Sequence, residues 1–398
     1  MEESKKPVRK LRIDTFKHHY LGLWEEIRTT PLPPRRCYHS AVLIGDKLVI
    51  YGGQDIKEGV LGDLWALTIS PLIPEEEVWT ELSTTGDNPG PLCRHTAVVN
   101  GTRMYVFGGT DHRNENSSVF VLDFQTLVWT RIGSAPGMPP AIDSHSAILY
   151  ESSNGLTMLV FGGYINGQHS NDIFMFNLET LQWNRPDIRP GPEPRVDHRA
   201  VLYQNAMWVY GGLGDQSNRL SDFWRLNLDT YQWEEIQNVG NSPGTVSGHS
   251  LTVCGDVMLL FGGIRDLIKE TNSMYTYDFS SNQWIMIQNE TLIEDPVTPS
   301  EIDEYRKQAR QRSTIQQKSP AADEISPSKK QKPLYSGPSI PSQGRVRGKV
   351  PHSRDGHSAV LFEGYLYVFA GDRHQMPFND TYSYSIQEQV IRTPLINN

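Results

Sequence analysis

The sequence predicts an all-β fold in which six four-stranded antiparallel sheets stand radially around one axis. Three observations predict it. A glycine pair recurs as Gly52-Gly53, Gly108-Gly109, Gly162-Gly163, Gly211-Gly212 and Gly262-Gly263, with Ala370-Gly371 as a variant sixth copy. His39, His95, His198, His249 and His357 each stand 13 residues before the first residue of their pair, and His145 stands 17 before, the extra length falling in "YESSNGLT". Each pair is followed by an alternating aromatic run: "LWAL", "VFVL", "IFMF", "FWRL", "MYTY" and "TYSY".

The elements of one unit follow in order. Period-2 alternation bounded by Gly, Pro, Asn and Asp marks short strands, so "HSAVLI", "KLVIYGG" and "DLWALTI" are the first three. Four copies then read D/N-x-x-T/S-x-x-W, ending in a fourth strand at Trp129, Trp183, Trp233 and Trp284. In the first copy Trp79 is reached after a longer loop, "SPLIPEEE". One such sheet cannot bury both of its faces, so repeated sheets stack radially into a β-propeller. All five Gly-Gly pairs and Gly371 are read as structural, because glycine lets backbones approach where no Cβ fits. A phosphate-binding loop would need GxxxxGK[ST] between strand and helix, and the sequence has neither.

The sixth unit ends without a tryptophan, and the missing strand is found at the other end of the chain. "YLGLWEEIRTTPLPP", around Trp24, has the strand-then-proline layout of "LQWNRPDIRPGPEP". The N-terminal strand is therefore expected to complete the last blade. Such closure removes the strand edges that template aggregation.

The Gly-Gly pair, the aromatic strand and the spaced tryptophan together resemble the kelch repeat, across almost the whole chain outside one insertion. That resemblance implies a propeller in which these residues pack blade on blade, with loops at one end forming a partner-binding surface.

Between Trp284 and His357 the repeat lapses. Positions 301–350 carry eleven Lys/Arg against five Asp/Glu, which leaves 26 against 41, a net −15, on the rest of the chain. Rich in Ser, Pro and Lys and poor in large apolar residues, this stretch reads as a disordered basic insertion. A short helix from Ser300, over "EIDEYRKQARQR", has a thin apolar face of Ile302, Tyr305 and Ala309. Ser319 and Ser326, each before proline, resemble phosphorylation sites, and "KKQK" at 329–332 is read first as a solvated basic tract, with a nuclear signal as the alternative. The expected organisation is a tail at 1–19, propeller at 20–287, insertion at 288–350, the sixth blade at 351–390 and a tail at 391–398.

Composition excludes several classes. A formal charge of −9 argues against general nucleic-acid affinity. Cys37, Cys93 and Cys254 show no metal-site spacing, and no apolar run is long enough to span a membrane. The start, "MEESKKPVRKLRI", lacks a signal-peptide core, so a soluble cytoplasmic protein is expected.

Strand parity puts the inter-blade loops and the second-to-third-strand loops at the same end of the ring. These are the long, polar loops, as binding loops tend to be. Just before the inner strands they carry Arg35, Arg36, Arg94, Asp143, Arg195, Asp197, Arg354 and Asp355, the expected partner-binding residues. Arginine forks there suit carboxylates or phosphorylated segments; the competing reading places Arg36, Arg195 and Arg354 in internal hydrogen bonding near the axis. The histidines, one per blade, indicate architecture. The basic insertion emerges at the same end and is expected to supplement or cover the surface.

With no nucleophile–base pair and no metal-ligand spacing, neither cofactor nor metal is expected. The function read from the sequence is a non-enzymatic scaffold or adaptor, a monomeric propeller binding other proteins or peptide segments. The alternatives are the substrate-recognition subunit of a ubiquitin ligase and a metal-dependent enzyme, both of which occur on kelch-type propellers. Against the former, the ends beyond the propeller, nineteen residues and "QEQVIRTPLINN", have no room for a ligase-binding domain.

Overall fold

The computed structural model describes residues 24–70, 76–113, 116–133, 137–266, 269–288 and 344–386. The elements are strands, gathered into six blades around a central channel. Blade 1 runs outward through Ser40–Ile44, Lys47–Tyr51, Leu64–Thr68 and Trp79–Glu81. Blade 2 follows with Thr96–Asn100, Arg103–Phe107, Val119–Asp123 and Val128–Ile132. Blade 3 is Ser146–Ser152, Gly155–Phe161, Ile173–Asn177 and Gln182–Asn184. Blade 4 is Arg199–Tyr203, Ala206–Tyr210, Phe223–Asn227 and Gln232–Glu235. Blade 5 is Ser250–Cys254, Val257–Phe261, Met274–Asp278 and Gln283–Gln288.

Blade 6 joins the two ends of the chain. Its inner strands are Ser358–Phe362, Tyr365–Phe369 and Thr381–Ser385, and Trp24–Arg28 pairs antiparallel with the last of these, Trp24 opposite Tyr384. The predicted closure by the N-terminal strand is what the sheet shows.

Each outer tryptophan packs against the aromatic residue that precedes the Gly-Gly pair of the previous blade. Ring centroids lie 5.2 Å apart for Trp129–Tyr51, 4.7 Å for Trp183–Phe107 and 5.1 Å for Trp233–Phe161. The series continues at 5.0 Å for Trp284–Tyr210, 5.3 Å for Trp24–Phe261 and 4.8 Å for Trp79–Phe369. Six apolar clusters result, one between each neighbouring pair of blades. Trp24, Trp79, Trp129, Trp183 and Trp284 are buried, while Trp233 is half-buried. Aromatic pairs of this geometry contribute about 0.5–1.5 kcal/mol each beyond the area they bury.

The two members of each glycine pair meet different obstacles. The second lies against its own blade's histidine. A Cβ on Gly53, at φ +96°, would lie 2.8 Å from the His39 Cβ and 2.9 Å from the Cys37 carbonyl oxygen. Such an approach leaves no room for a side chain. Gly109, Gly163, Gly212, Gly263 and Gly371 stand equally close to the Cβ of His95, His145, His198, His249 and His357. The first member faces the following blade. A Cβ there would press on the Leu92 carbonyl from Gly52, on the Val246 carbonyl from Gly211, and on the rings of His145, His198 and His357 from Gly108, Gly162 and Gly262. In the sixth blade Ala370 takes this first place at φ +55°. Outer turns close on the Asp or Asn of the D/N-x-x-T/S motif; Asn177 Oδ1 accepts the backbone N–H groups of Glu179 and Thr180 at 2.9 and 2.7 Å.

The expected insertion of 288–350 is too long at its C-terminal end. Gly344–Arg347 forms a fifth strand of blade 6, antiparallel to Trp24–Arg28, and Val350 is buried against Trp24. The alternation of Arg345, Val346 and Arg347 was hidden in a basic, proline-rich context. Arg345 ties this edge to blade 1: it donates to Glu77 at 2.6 and 3.0 Å, to Glu25 at 3.1 Å and to the Tyr367 hydroxyl at 3.3 Å. The predicted helix from Ser300, the "KKQK" tract, Ser319 and Ser326 lie outside the described residues.

Candidate functional site

The linkers between blades and the loops after the Gly-Gly pairs meet at one end of the ring. Backbone bridges join them directly: Cys37 with Gln54, Cys93 with Thr110, Asp143 with Tyr164, Ser247 with Ile264 and Asp355 with Asp372. In blade 4 the same contact is a short ladder, Arg195–Val196 on Leu213–Gly214.

The residue before each histidine builds the channel mouth. Tyr38, Arg94, Ser144, Asp197, Gly248 and Gly356 all have φ between +51° and +66°. In this left-handed conformation each N–H reaches the carbonyl of the equivalent residue one blade back. The bonds run Tyr38 to Gly356 (2.7 Å), Arg94 to Tyr38 (2.9 Å), Ser144 to Arg94 (2.9 Å), Asp197 to Ser144 (3.0 Å), Gly248 to Asp197 (2.9 Å) and Gly356 to Gly248 (2.9 Å). The circle is closed. Six residues far apart in sequence thus satisfy one another's backbone at a place with no ladder partner.

Side chains cover this circle. The Arg94 guanidinium stacks 3.9 Å above the Tyr38 ring and donates to both Asp197 carboxylate oxygens at 3.3 Å and to Ser144 Oγ at 3.1 Å. The Tyr38 hydroxyl donates to Asp355 at 2.7 Å, and Ser144 donates to Asp143 at 2.7 Å. Burial opposes the Arg94 charge, yet Asp197 and its neighbours outweigh it and raise its pKa. Burial, with Glu270 and Asp197 adding to it, pushes Asp355 up to about 7. Burial and then Asp355 push Asp372 up to about 8. One side of the mouth is therefore a set of carboxylates only partly ionised near neutral pH.

The expected binding residues divide into three groups. Arg94, Asp143, Asp197 and Asp355 come together in the network at the mouth. Arg35 is exposed on the loops. Arg36, Arg195 and Arg354 are corrected: all three are fully buried and cannot touch a partner. Each forks onto an aspartate of its own blade, Arg36 on Asp63 (2.8 and 2.7 Å), Arg195 on Asp222 (2.8 and 2.6 Å) and Arg354 on Asp380 (2.7 and 2.9 Å). Each also donates to the carbonyl of the first residue of its pair, Gly52, Gly211 or Ala370. In blades 2, 3 and 5 the place of the arginine is taken by Leu92, Ile142 and Val246. A bidentate arginine pair in blades 1, 4 and 6 thus does the work of apolar packing elsewhere.

The histidines form a second circle inside the channel wall. His95 Nε2 meets Ser40 Oγ at 2.8 Å, His145 meets Thr96 at 2.7 Å, His198 meets Ser146 at 2.8 Å, His357 meets Ser250 at 3.0 Å and His39 meets Ser358 at 2.8 Å. Burial pushes His95 and His145 down to about 3 and lowers the other four, so all six are neutral. Sequence reasoning missed Tyr38, Ser144, Asp372 and Arg199; the position before each histidine, read as a column, was the signal available.

Among the described residues no group of three or more His, Cys, Asp and Glu could hold a metal ion, and no helix is long and apolar enough to cross a membrane.

Comparison with known proteins agrees with this architecture. The chain is 29% identical over 323 residues to the leucine-zipper-like transcriptional regulator 1 homolog of Drosophila melanogaster, 78% of this chain but 27% of that protein. It is 30% identical over 245 residues to Kelch domain-containing protein 3 of Homo sapiens, 58% of this chain and 62% of the relative. Host cell factor 2 of Homo sapiens matches at 30% over 261 residues, 59% of this chain and 31% of that protein. The chain thus spans between about a quarter and three fifths of these relatives' own length. A family profile described as the KLHDC2/KLHL20/DRC7 Kelch-repeats domain matches residues 15–155 and 152–300, and with the six closed blades this makes the chain a member of the kelch-repeat propeller family.

Proposed function

We propose that the chain is a non-enzymatic scaffold or adaptor that binds segments of other proteins on the inter-blade-loop end of its propeller. One observation carries the reading. Both sets of long loops stand on that end, on a base fixed by the closed backbone circle and the buried arginine forks. A rigid base under variable polar loops is the arrangement in which loops serve recognition. Arg35, Lys57, His112, Arg113 and Asp215 present mixed charge there. The insertion begins and ends at the same end, since Gln288 closes the outer strand of blade 5 there and Gly344 opposes Arg28. Between the described strands, 289–343 is balanced at eight Lys/Arg and eight Asp/Glu, but its run 306–332 carries eight Lys/Arg against two Asp/Glu. That run would add basic charge to the surface, and phosphorylation at Ser319 or Ser326 would weaken it by cancelling charge.

Affinity capture of partners by the wild type and by Arg35→Glu/Arg113→Glu tests the assignment, with Glu151→Lys at the opposite end as control. The loop variant is expected to lose partners that the control keeps. Equal loss, or no loss in either, would show that binding lies elsewhere. Removing 295–340, which spares Arg345, is expected to reduce the salt dependence of capture; an unchanged dependence removes the insertion from the surface.

A further inference from the structure

The first residue of each inner strand lines the channel: Ser40, Thr96, Ser146, Arg199, Ser250 and Ser358. Five are hydroxyls, each engaged by a histidine of the following blade. The sixth, Arg199, breaks the pattern, and its consequence is visible in blade 5. His249 is fully buried, and neither of its ring nitrogens has a hydrogen-bond partner among the described residues.

Arg199 is itself under-used. Its only side-chain hydrogen bond among the described residues runs from Nη1 to the His198 carbonyl at 3.1 Å. A guanidinium has five N–H donors. Burial lowers its pKa; Asp197, which favours its charge most, is engaged by Arg94 through both oxygens. Its charge also depresses the pKa of His39, His198, His249 and His357, on four different blades, which places the guanidinium near the axis.

The hydroxyls point to the same chemistry. The Nδ1 atoms of His39, His95, His145, His198 and His357 are buried without a partner. A buried N–H left orphaned is rarer than a bare acceptor, which assigns the ring proton to Nε2, donating to the hydroxyl. Each hydroxyl then keeps its own O–H for another acceptor. Ser250 has the Phe261 carbonyl at 3.5 Å; Ser40, Thr96, Ser146 and Ser358 have no such acceptor among the described residues.

We propose that the central channel, a cavity of about 190 Å³, binds one small inorganic anion between Arg199 and the hydroxyls of Ser40, Thr96, Ser146 and Ser358. The cavity supplies a cation and converging O–H donors; its histidines are neutral, and the one carboxylate in its lining, Asp197, is paired through both oxygens with Arg94. Tyr38, Arg94, Ser144 and Asp197 line the near end of the channel, and Leu43, Val99, Leu149 and Leu202 line its far end.

The test uses the full chain with sodium phosphate and sodium bromide as separate probes, at constant ionic strength set by a bulky organic salt. Either anion is expected to raise the melting temperature of the wild type and to give a one-site titration. Arg199→Ser supplies the hydroxyl that the other five blades have and restores a partner for His249, so it is expected to fold and to weaken binding about tenfold or more. Arg199→Met must lose the response as well. Crystals of the wild type grown with bromide supply a readout that needs no variant, with the ion expected beside Arg199. A wild type indifferent to both anions, variants that respond as it does, or a channel holding only water in those crystals would overturn the site.

Discussion

Replacing Arg345 with methionine tests whether the ring is locked where its two ends meet. Arg345 is 8% exposed and Glu77 is 0% exposed at the side chain, so the pair is buried at the boundary between blades 6 and 1. Without the guanidinium, Glu77 keeps, among the described residues, only the Ser70 backbone N–H at 3.4 Å. Removing one partner of a buried ion pair typically costs about 3–5 kcal/mol, because the other charge stays desolvated. Glu25 contributes less to that cost, being 15% exposed and still paired with Arg347 at 2.7 Å. Burial already raises the Glu77 pKa despite Arg345, and losing the arginine raises it further. Between the ordinary glutamate pKa and that raised value the folded chain binds more protons than the unfolded one, so stability falls as pH rises through the window. The variant should therefore be nearest the wild type at about pH 5 and furthest below it at about pH 8. Guanidinium denaturation followed by tryptophan fluorescence at both pH values measures the difference. Adding Glu77→Leu should recover most of the loss, since a buried pair replaced by apolar residues is often neutral. A loss under about 1 kcal/mol at both pH values, or a double variant no better than the single one, would refute the lock.

Three further outcomes follow from the same geometry. Trp24→Ala removes a fully buried ring packed on Phe261 and Tyr384 and is expected to cost about 3–5 kcal/mol; a melting temperature equal to that of the wild type would remove the N-terminal strand from the core. Arg36→Ala should cost about 3 kcal/mol in thermal or chemical denaturation, with Asp63 left 18% exposed, without its cation and with the Trp65 indole N–H at 2.8 Å still donating to it, and Arg36→Lys should recover only part because an ammonium cannot fork. Asp355 and Asp372 have folded pKa values raised to about 7 and about 8, so they make the fold lose stability as pH rises from about 5 to about 9; Asp355→Asn should flatten that slope, and an unchanged slope would show that these carboxylates do not titrate in that range.

The sequence carries the repeat plainly because every blade solves the same packing problem with the same residues. An aromatic before a glycine pair and a tryptophan on the next sheet must touch, so both recur at fixed spacing. The closing strand was legible for the same reason, as a sixth tryptophan was missing at one end and present at the other. The strand at Gly344–Arg347 was not, since four residues of alternation give too short a period to stand out from basic, proline-rich surroundings.

At the candidate site the division falls differently. The sequence by itself determined which loops share an end of the ring, because antiparallel strands alternate direction and leave no choice. Only the tertiary structure decided what the arginines do. Arg36 and Arg94 stand three residues and one residue before their histidines, yet one turns into its own blade onto Asp63 and the other lies over Tyr38 at the channel mouth. What separates them is the partner each meets, an aspartate 27 residues on for Arg36 and one 103 residues on for Arg94. The first contact lies within one blade and the second exists only once blades 2, 3 and 4 have packed around the axis. Local pattern fixes the blade, and the long-range meeting of blades fixes which charges remain for a ligand.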